Sequence, residues 1–404
     1  MKNVVVAQSG GPTAAINATA LGVILEAHKS DKVEKVYAGI NGIKGIVEGR
    51  LVDLPERLYK KEEQILLETT PAAAFGSCRK KLKSFEENDE DYKKIVEVFR
   101  KYNIGYFVYI GGNDSMDTVL KLSQYFAKEG IDDIKVMGAP KTVDNDLPET
   151  DHTPGFGSAA KYIATTFAEL GRDCNVYDIP AVTVVEVMGR NTGWLTAASC
   201  LARDNGCGAP DLIYLPEVAF DVDRFIEDVS EKLKTKNAVI VAVSEGIKTA
   251  DGKYAAESYQ SGAVDVFGHK YLSGTAKFLS DIVKERIGCK TRGVELNLMQ
   301  RCAAHIASKT DIEESKLLGA AALKYALEGK SGEMSIIVRK GEYEAEISSA
   351  DIALVANREK VIPREWINER GNDVLEPCVT YLKPLIIGET SPIYKNGIPV
   401  HFSI

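Results

Sequence analysis

The stretch Ala139-Pro140-Lys141-Thr142-Val143-Asp144-Asn145-Asp146 follows a short apolar run at residues 134–137 that predicts a buried strand. Its polar groups are therefore expected at the carboxyl end of a strand, where ligands bind in open α/β sheets. The carboxylates of Asp144 and Asp146 and the ammonium of Lys141 suit proton abstraction and phosphate neutralisation in one place. A solvated turn is the alternative, because Asp, Asn and Pro are common turn formers.

Two other predicted strands are each followed by a glycine-rich turn and a helix. Residues 4–7 precede Ser9-Gly10-Gly11-Pro12-Thr13, and residues 104–110 precede Gly111-Gly112-Asn113-Asp114-Ser115. Backbone N–H groups converge at such turns, and the positive end of the helix dipole favours an anion there. Neither turn has the Rossmann or the Walker A pattern. They predict phosphate-binding loops, and a tight strand-to-helix connection is the alternative for the first turn taken alone.

Charged side chains accompany these turns. The turn Gly76-Ser77-Cys78-Arg79-Lys80-Lys81 carries three cations. A basic turn is usually a solvated face, but beside a phosphate loop Arg79 can pair with phosphoryl oxygens in a bidentate manner. Asp114 can be a helix cap. If it faces a phosphate instead, a cation must lie between them, and Mg²⁺ is the usual one.

Strands and helices alternate along most of the chain, which predicts parallel sheets. Strands at residues 180–187, 211–215 and 238–243 each end in a polar or charged residue, as expected of a second ligand-binding edge. The predicted fold class is α/β, with two Rossmann-like three-layer domains, mostly parallel sheets and an active site in the cleft between the domains.

The domain boundaries follow from this topology, because no flexible linker separates the halves. Residues 1–153 plus about 304–350 are assigned to the first domain, and residues 154–303 plus about 351–404 to the second.

The last third of the chain is predicted in less detail. Residues 291–301 predict a strand, with Arg292 near its start and Arg301 at its end. A helix is expected over about 304–327 and a hairpin over about 335–347. The tail after residue 351 carries no motif to which chemistry can be assigned.

Composition limits the classes of function. The 404 residues are 45% hydrophobic, and at roughly 100–200 residues per domain two domains are the default. The net charge of −8 argues against non-specific nucleic-acid binding. Seven cysteines without a CxxC pair indicate reduced thiols and a cytoplasmic protein. No apolar run reaches about 18 residues, so no membrane span is expected.

Taken together and in order, the loops resemble those of the phosphofructokinase family. The matching pieces are Ser9-Gly10-Gly11, Gly76-Ser77-Cys78-Arg79, Gly111-Gly112-Asn113-Asp114-Ser115, Pro140 through Asp146, Val184 through Arg190, Ser244-Glu245-Gly246, and Arg292 through Gln300-Arg301. The resemblance covers most of the chain up to about residue 340. Any one piece is modest evidence, whereas the ordered set is specific.

The resemblance implies a choice of phosphoryl donor. ATP-dependent members typically have glycine at the positions of Asp114 and Lys141, which favours the pyrophosphate-dependent branch for this chain. The implied reaction is reversible phosphoryl transfer from pyrophosphate to the 1-hydroxyl of fructose 6-phosphate, with Mg²⁺ as cofactor. An ATP-dependent 6-phosphofructokinase and the same chemistry on sedoheptulose 7-phosphate are the alternatives. A lipid or NAD kinase and a non-catalytic metabolite sensor are disfavoured.

The resemblance also implies roles for single residues. Asp144 resembles the general base, and Lys141 the cation that stabilises the transferring phosphoryl group. Gly11 and Arg79 would hold the donor, Asp114 would select it, and Asn113 would be the metal ligand. The residues on the acceptor side would be Thr142, Asp146, Met188, Gly189, Arg190, Glu245, Arg292 and Arg301, the last two clamping the 6-phosphate.

Three positions depart from the family pattern. Asn113 replaces an aspartate, Leu298 replaces a common histidine or tyrosine, and Ala181 lies where many relatives lend an arginine to a neighbouring subunit. These changes leave the acceptor less certain than the reaction type. A homodimer or homotetramer is expected from the family, with neither nucleic acid nor membrane as a partner.

Overall fold

The computed structural model describes residues 1–206, 208–257 and 274–404. Cys207, one of the seven predicted thiols, lies outside these ranges, and the six cysteines within them are free. None of the helices in the described ranges combines the length and apolar character needed to span a bilayer.

The strands are numbered in chain order. They are β1 Lys2–Gln8, β2 Val33–Gly39, β3 Leu51–Asp53, β4 Ile104–Gly111, β5 Lys135–Pro140, β6 Ala181–Val187, β7 Leu212–Tyr214, β8 Ala238–Ser244, β9 Lys290–Glu295, β10 Glu333–Lys340, β11 Glu344–Asp351, β12 Tyr394–Lys395 and β13 Ile398–Pro399.

The α-helices are numbered in the same way. They are α1 Ile16–Lys29, α2 Gly42–Val47, α3 Lys61–Thr69, α4 Glu90–Lys101, α5 Asn113–Lys128, α6 Phe156–Cys174, α7 Trp194–Ala198, α8 Val222–Leu233, α9 Thr275–Arg286, α10 Met299–Cys302, α11 Lys309–Leu327 and α12 Glu376–Leu382.

The first sheet has the spatial order β11-β10-β5-β4-β1-β2-β3. Its centre is parallel, while β3 and β11 run antiparallel to their neighbours at the two edges. Strand β1 shows why this sheet needs cover on both faces. Its successive side chains point to opposite faces, so Val5 joins one buried apolar cluster while Val4 and Val6 join another.

The second sheet, β7-β8-β6-β9, is parallel throughout. Val184 and Val185 of β6 point into different buried clusters, so this sheet also has apolar cover on both faces. The predicted fold class, α/β with two three-layer units, is confirmed, and the predicted hairpin near residues 335–347 is the β10–β11 pair.

Strand register brings the predicted loops together. Gln8 of β1 lies level with Ile110 of β4, and Gly111 lies level with Pro140 of β5. In the second sheet Val187 of β6 lies level with Ser244 of β8. Since parallel strands end at the same edge of a sheet, the turns that follow these strands are neighbours.

The predicted strand over residues 291–301 is wrong in its second half. Strand β9 ends at Glu295, opposite the end of β6, and Asn297 then adopts a left-handed conformation (φ 48°) that breaks the extended chain. Arg301 therefore belongs to the short helix α10.

The helix predicted from about residue 304 begins later, at Lys309. Its N-cap is Ser308, whose side chain accepts from the Asp311 N–H. The division of the chain into two domains stays a prediction. Phe402 packs into the core under the first sheet, and its N–H donates to Thr70 Oγ1 (2.7 Å).

Candidate active site

The carboxyl ends of both sheets face one cleft of about 790 Å³. Most of the predicted site residues line it, namely Gly11, Arg79, Asn113, Asp114, Lys141, Thr142, Asp144, Asp146, Met188, Arg190, Glu245 and Arg301. Gly189 and Arg292 do not line it. These predicted residues come from loops that lie far apart in the chain, from Gly11 to Arg301.

The first glycine-rich turn is tied to the basic turn. Gly10 has a left-handed conformation (φ 75°), which a glycine adopts without strain. Its N–H donates to Cys78 O (3.2 Å), and its carbonyl accepts from Ser77 Oγ (2.6 Å). These bonds hold Arg79 and the Gly10-Gly11 turn on the same wall of the cleft.

Lys141 is the cation at the centre of this wall. Its side chain is buried, with 3% of the residue exposed, and its Nζ donates to Gly11 O (2.6 Å). Burial lowers the pKa of Lys141 to about 8, although the charges of Asp144 and Asp146 act in the opposite direction. An ammonium placed there is ready to meet negative charge beside the glycine-rich turn.

The octapeptide forms a fixed turn and not a solvated one. The Asp144 N–H donates to Thr142 Oγ1 (3.1 Å), and Asp144 O accepts from Thr192 Oγ1 (3.0 Å). Asn145 is fully buried in a left-handed conformation, and its Oδ1 accepts from the Thr153 N–H (3.1 Å). The buried Asn145 side chain therefore fixes the turn, and its neighbours Asp144 and Asp146 line the cleft.

Three carboxylates of the cleft have raised pKa values. Burial raises the pKa of Asp144, and burial together with the charge of Asp144 raises that of Asp146 to about 7. Burial likewise raises the pKa of Glu245 to about 7. Asp146 and Glu245, whose pKa values lie near neutrality, can exchange protons at physiological pH, and the raised pKa of Asp144 makes it a stronger base. The Oδ1 atom of Asp146 is buried without a hydrogen-bond partner.

The loop after β6 is shaped by backbone contacts. Gly189 has φ 146°, and its N–H donates to Glu245 Oε1 (3.3 Å), while its carbonyl accepts from Ser244 Oγ. The Met188 N–H donates to Gln300 Oε1 (3.2 Å). Gly189 therefore holds the loop in place without lining the cleft, whereas Met188 and Glu245 line it.

Asn113 and Asp114 open helix α5 at the mouth of the cleft. Asp114 Oδ1 pairs with Lys81 Nζ at 2.8 Å, with both side chains partly exposed. The Asn113 amide is engaged by the C-terminal segment, since its Oδ1 accepts from the Asn357 N–H and its Nδ2 donates to Arg358 O. The amide oxygen predicted as a metal ligand thus already has one partner.

The predicted arginine clamp is not formed within one chain. Arg292 is exposed on the edge strand β9 and does not line the cleft. Arg301 does reach the cleft, where a Cβ placed on Gly11 would come within 3.1 Å of its Nη1. Its guanidinium therefore lies beside the first glycine-rich turn.

The C-terminal tail contributes two residues to the cleft that no sequence motif indicated. Asn357 and Glu359 line the cleft, and both Glu359 oxygens accept from Asn191 Nδ2 (3.0 and 3.3 Å). These residues follow no recognisable strand-to-helix turn, so no local signal marks them. Only the return of the chain from β11 across the cleft brings them there.

A buried ionic cluster lies behind the octapeptide. His152 donates or accepts through both ring nitrogens, at 2.8 Å from Asp151 Oδ2 and 2.7 Å from Glu314 Oε2. Arg339 holds Asp151 with two further bonds (3.0 and 2.9 Å). Burial alone would lower the pKa of His152, but the hydrogen bonds to both carboxylates raise it overall. The same contacts lower the pKa of Asp151 to about 2 in spite of its burial.

We expect His152→Gln to lower the free energy of unfolding by about 3–5 kcal/mol, because it leaves the buried Glu314 carboxylate without its cation, whereas Asp151 keeps Arg339. A histidine whose folded pKa exceeds the ordinary 6.5 stabilises fully below pH 6.5, and this stabilisation is lost as pH rises through the folded pKa. The Asp151 contribution is present above 3.8 and lost as pH falls toward 2. Urea unfolding of parent and variant should therefore differ most between these two limits, and a difference that grows toward pH 9 would contradict this interpretation.

Comparison with known proteins is consistent with this geometry. The phosphofructokinase family model matches residues 3–326. The chain is 45% identical to a pyrophosphate–fructose 6-phosphate 1-phosphotransferase of Methylococcus capsulatus, covering 100% of this chain and 96% of the relative. A relative of the same name from Halomonas elongata is 43% identical, with 98% and 94% covered. A crystal structure of a pyrophosphate-dependent phosphofructokinase from Nitrosospira multiformis superposes with a TM-score of 0.88 at 40% identity, covering 99% and 96%.

Proposed function

The chain belongs to the phosphofructokinase family, and from this premise we propose that it is a pyrophosphate-dependent phosphofructokinase. The reaction is reversible transfer of a phosphoryl group from pyrophosphate to the 1-hydroxyl of fructose 6-phosphate, giving fructose 1,6-bisphosphate and phosphate. It can serve glycolysis or gluconeogenesis. The observation that carries the proposal is the buried Lys141 ammonium, which bonds the Gly10-Gly11 turn and adjoins Asp144.

The donor side of the cleft suits a small, highly charged donor. Pyrophosphate has no nucleoside to provide binding energy and orientation, so fixed cations must provide both. Lys141, Arg79 and Arg301 line the same wall beside the glycine-rich turn. Asp114 stands at the first turn of α5. Its charge and volume oppose the α-phosphate of an adenine nucleotide, which is the physical reason for favouring pyrophosphate over ATP.

The proposed transfer is direct and in line. The acceptor oxygen O1 bonds to one phosphorus of pyrophosphate while the bond from that phosphorus to the bridging oxygen breaks. Asp144 takes the proton of the 1-hydroxyl, and phosphate leaves. Lys141 balances the negative charge that spreads over the phosphoryl oxygens, because fixed charges cost no reorganisation during the reaction.

We propose Mg²⁺ as the cofactor on the evidence of Asp146. Its buried, unpartnered Oδ1 would be satisfied by a cation, and Asn113 lines the same cleft. Within the described ranges no group of three or more His, Cys, Asp or Glu side chains could hold a metal ion alone. Mg²⁺ is commonly held by one or two carboxylates together with the substrate's phosphates. When bound, it supplies positive charge to the phosphoryl oxygens.

Other residues of the cleft are proposed to bind the acceptor, the sugar phosphate. Thr142, Met188, Arg190 and Glu245 also line the cleft, and Glu245 can accept hydrogen bonds from sugar hydroxyls. We propose Asp146 as a further residue of the acceptor side. We retain Arg301 as a ligand of an anionic group and do not assign Arg292 to the cleft of its own chain.

Domain roles, assembly and location belong to the same proposal. Residues 1–153 with about 304–350 form the donor domain, and residues 154–303 with most of 351–404 form the sugar-phosphate domain. We propose a homodimer or homotetramer, supported by the exposed edge strand β9 that carries Arg292. We place the enzyme in the cytoplasm.

The decisive experiment is a donor comparison. We expect turnover with Mg²⁺, fructose 6-phosphate and pyrophosphate, and at least a hundredfold lower kcat/KM with ATP, because Asp114 and Lys141 act together against a nucleotide; a factor of 100 corresponds to about 2.8 kcal/mol. Parallel assays with sedoheptulose 7-phosphate test the acceptor, and excess EDTA tests the metal. Equal or better use of ATP would overturn the proposed donor.

A further inference from the structure

The C-terminal segment of residues 355–362, here called the strap, crosses from the first sheet to the second. It leaves the edge strand β11 through a short 3-10 helix at Ile352–Leu354. It bonds Asn113 on the donor side through the Asn357 N–H. On the other side the Ile362 N–H donates to Glu217 Oε1 (3.2 Å), beyond β7. Within the cleft itself, Glu359 of the strap accepts from Asn191 in the loop after β6, so the strap contacts cleft residues that follow both sheets.

Lys360 is the point at which the strap holds the catalytic turn. Its N–H donates to Asp146 O (2.7 Å), so the strap backbone fixes the end of the octapeptide. Its Nζ donates to Thr150 O (2.9 Å) and Asp151 O (2.7 Å). Its own carbonyl accepts from Trp194 Nε1 (3.1 Å) of helix α7. One residue thus ties together both ends of residues 146–151 and the second domain.

The two carbonyls that accept from Lys360 belong to Thr150 and Asp151, and other contacts hold Asp151 in place. Asp151 is fixed by His152 and Arg339 in the buried ionic cluster, and Asp151 O also accepts from Tyr381 OH (2.6 Å). Tyr381 OH in turn accepts from Asn145 Nδ2 (2.9 Å), next to Asp144. Movement of Lys360 would therefore be transmitted to the turn from two directions.

The chemistry of Lys360 is unusual for a structural residue. Its ammonium bonds main-chain carbonyls and has no ion pair among the described residues, although burial of such a cation is unfavourable. Burial lowers the pKa of Lys360 to about 8, with Asp151 and Asp146 acting in the opposite direction. The cation therefore lies within electrostatic range of the catalytic turn without touching the cleft, whose lining does not include it.

We propose that Lys360 is a positioning residue, through which the C-terminal strap holds the turn bearing Asp144 and Asp146 in its reactive geometry. This inference rests on the proposed phosphoryl transfer. It gives the tail a role in the reaction that its sequence does not show. The strap does not bind substrate through Lys360, so its loss should affect turnover more than binding.

The test compares Lys360→Met with Lys161→Met in the full-length protein. Lys161 is the matched control, because its Nζ also bonds the tail, at Gly388 O (2.6 Å) and Glu389 Oε2 (2.8 Å), yet lies outside the cleft lining. We expect Lys360→Met to lower kcat by about tenfold to a hundredfold, as misplacement of a reacting group by about 1 Å does. The KM values for pyrophosphate and fructose 6-phosphate should change less than threefold. Lys161→Met should keep kcat within twofold of the parent.

Hydrogen exchange gives a second readout that does not depend on activity. Amides of residues 142–155 should lose protection in Lys360→Met and keep it in Lys161→Met. If Lys360→Met does not fold, Lys360→Gln takes its place, because its uncharged amide group still carries two N–H donors. A kcat within twofold of the parent, a rise in KM alone, or unchanged protection would each overturn the inference. A parent without pyrophosphate activity would instead refute the proposed function, and the exchange comparison would still decide whether Lys360 orders the turn.

Discussion

Replacing Asp144 with asparagine should lower kcat by about 10²–10⁴, the range typical of losing a general base. The amide keeps the size of the side chain but cannot accept the proton of the acceptor hydroxyl. Burial raises the pKa of Asp144, which strengthens it as a base near neutral pH. Steady-state assays with pyrophosphate and fructose 6-phosphate would measure the loss, and KM should change little.

The pH dependence of kcat/KM in the parent enzyme is a second test of Asp144 as the general base. A base must be ionised to act, so kcat/KM should fall as pH falls through the raised pKa of the Asp144–Asp146 pair. The acidic limb belongs to the pair, because the two carboxylates influence each other.

Asp311→Asn is the matched control, since Asp311 is a buried carboxylate that caps the start of helix α6 and does not line the cleft. We expect it to reduce stability and to keep the acidic limb in place. An Asp144→Asn enzyme with turnover within fivefold of the parent would exclude Asp144 as the base.

Replacing Lys141 with methionine should lower kcat with pyrophosphate by about 10²–10³, as loss of one preorganised charge-stabilising group does. Methionine fills a similar volume, so the turn is expected to persist while the fixed cation disappears. The Gly11 carbonyl then loses its hydrogen bond from Lys141, which is a smaller effect. Activity with ATP should not appear in this variant, because Asp114 remains at the mouth of the cleft.

The control for Lys141 is Lys121→Met. Lys121 also donates to a main-chain carbonyl, Leu82 O (2.9 Å), and pairs with Asp117 (2.6 Å), but it lies on helix α5 outside the cleft lining. Its loss should leave kcat within twofold of the parent. If Lys141→Met kept a tenth or more of the parent kcat, the buried ammonium would not be the main source of charge stabilisation. The same variant measured with saturating Mg²⁺ separates loss of the cation from weaker metal binding.

Much of the fold could be predicted from local sequence. Apolar runs such as residues 104–110 are long enough to be buried strands, and alternation with helices requires parallel sheets. The failure at residues 291–301 has a local cause, because a single left-handed residue, Asn297, breaks a segment whose composition is otherwise typical of a strand. Asparagine is depleted in strands and enriched in the left-handed region, so Asn297 was the local signal of this break.

The sequence by itself determined the turns of the donor wall and the octapeptide with its acids and lysine. Each is a short segment whose chemistry can be read from its own residue types, although bonds from distant residues such as Cys78 and Thr192 hold its backbone. Only the tertiary structure decided which distant residues share the cleft. Arg292 is exposed on an edge strand and does not line the cleft, whereas Glu359 lines it because the chain returns to the cleft after β11. Such placements depend on strand order and long-range packing, and no local pattern of residues encodes them.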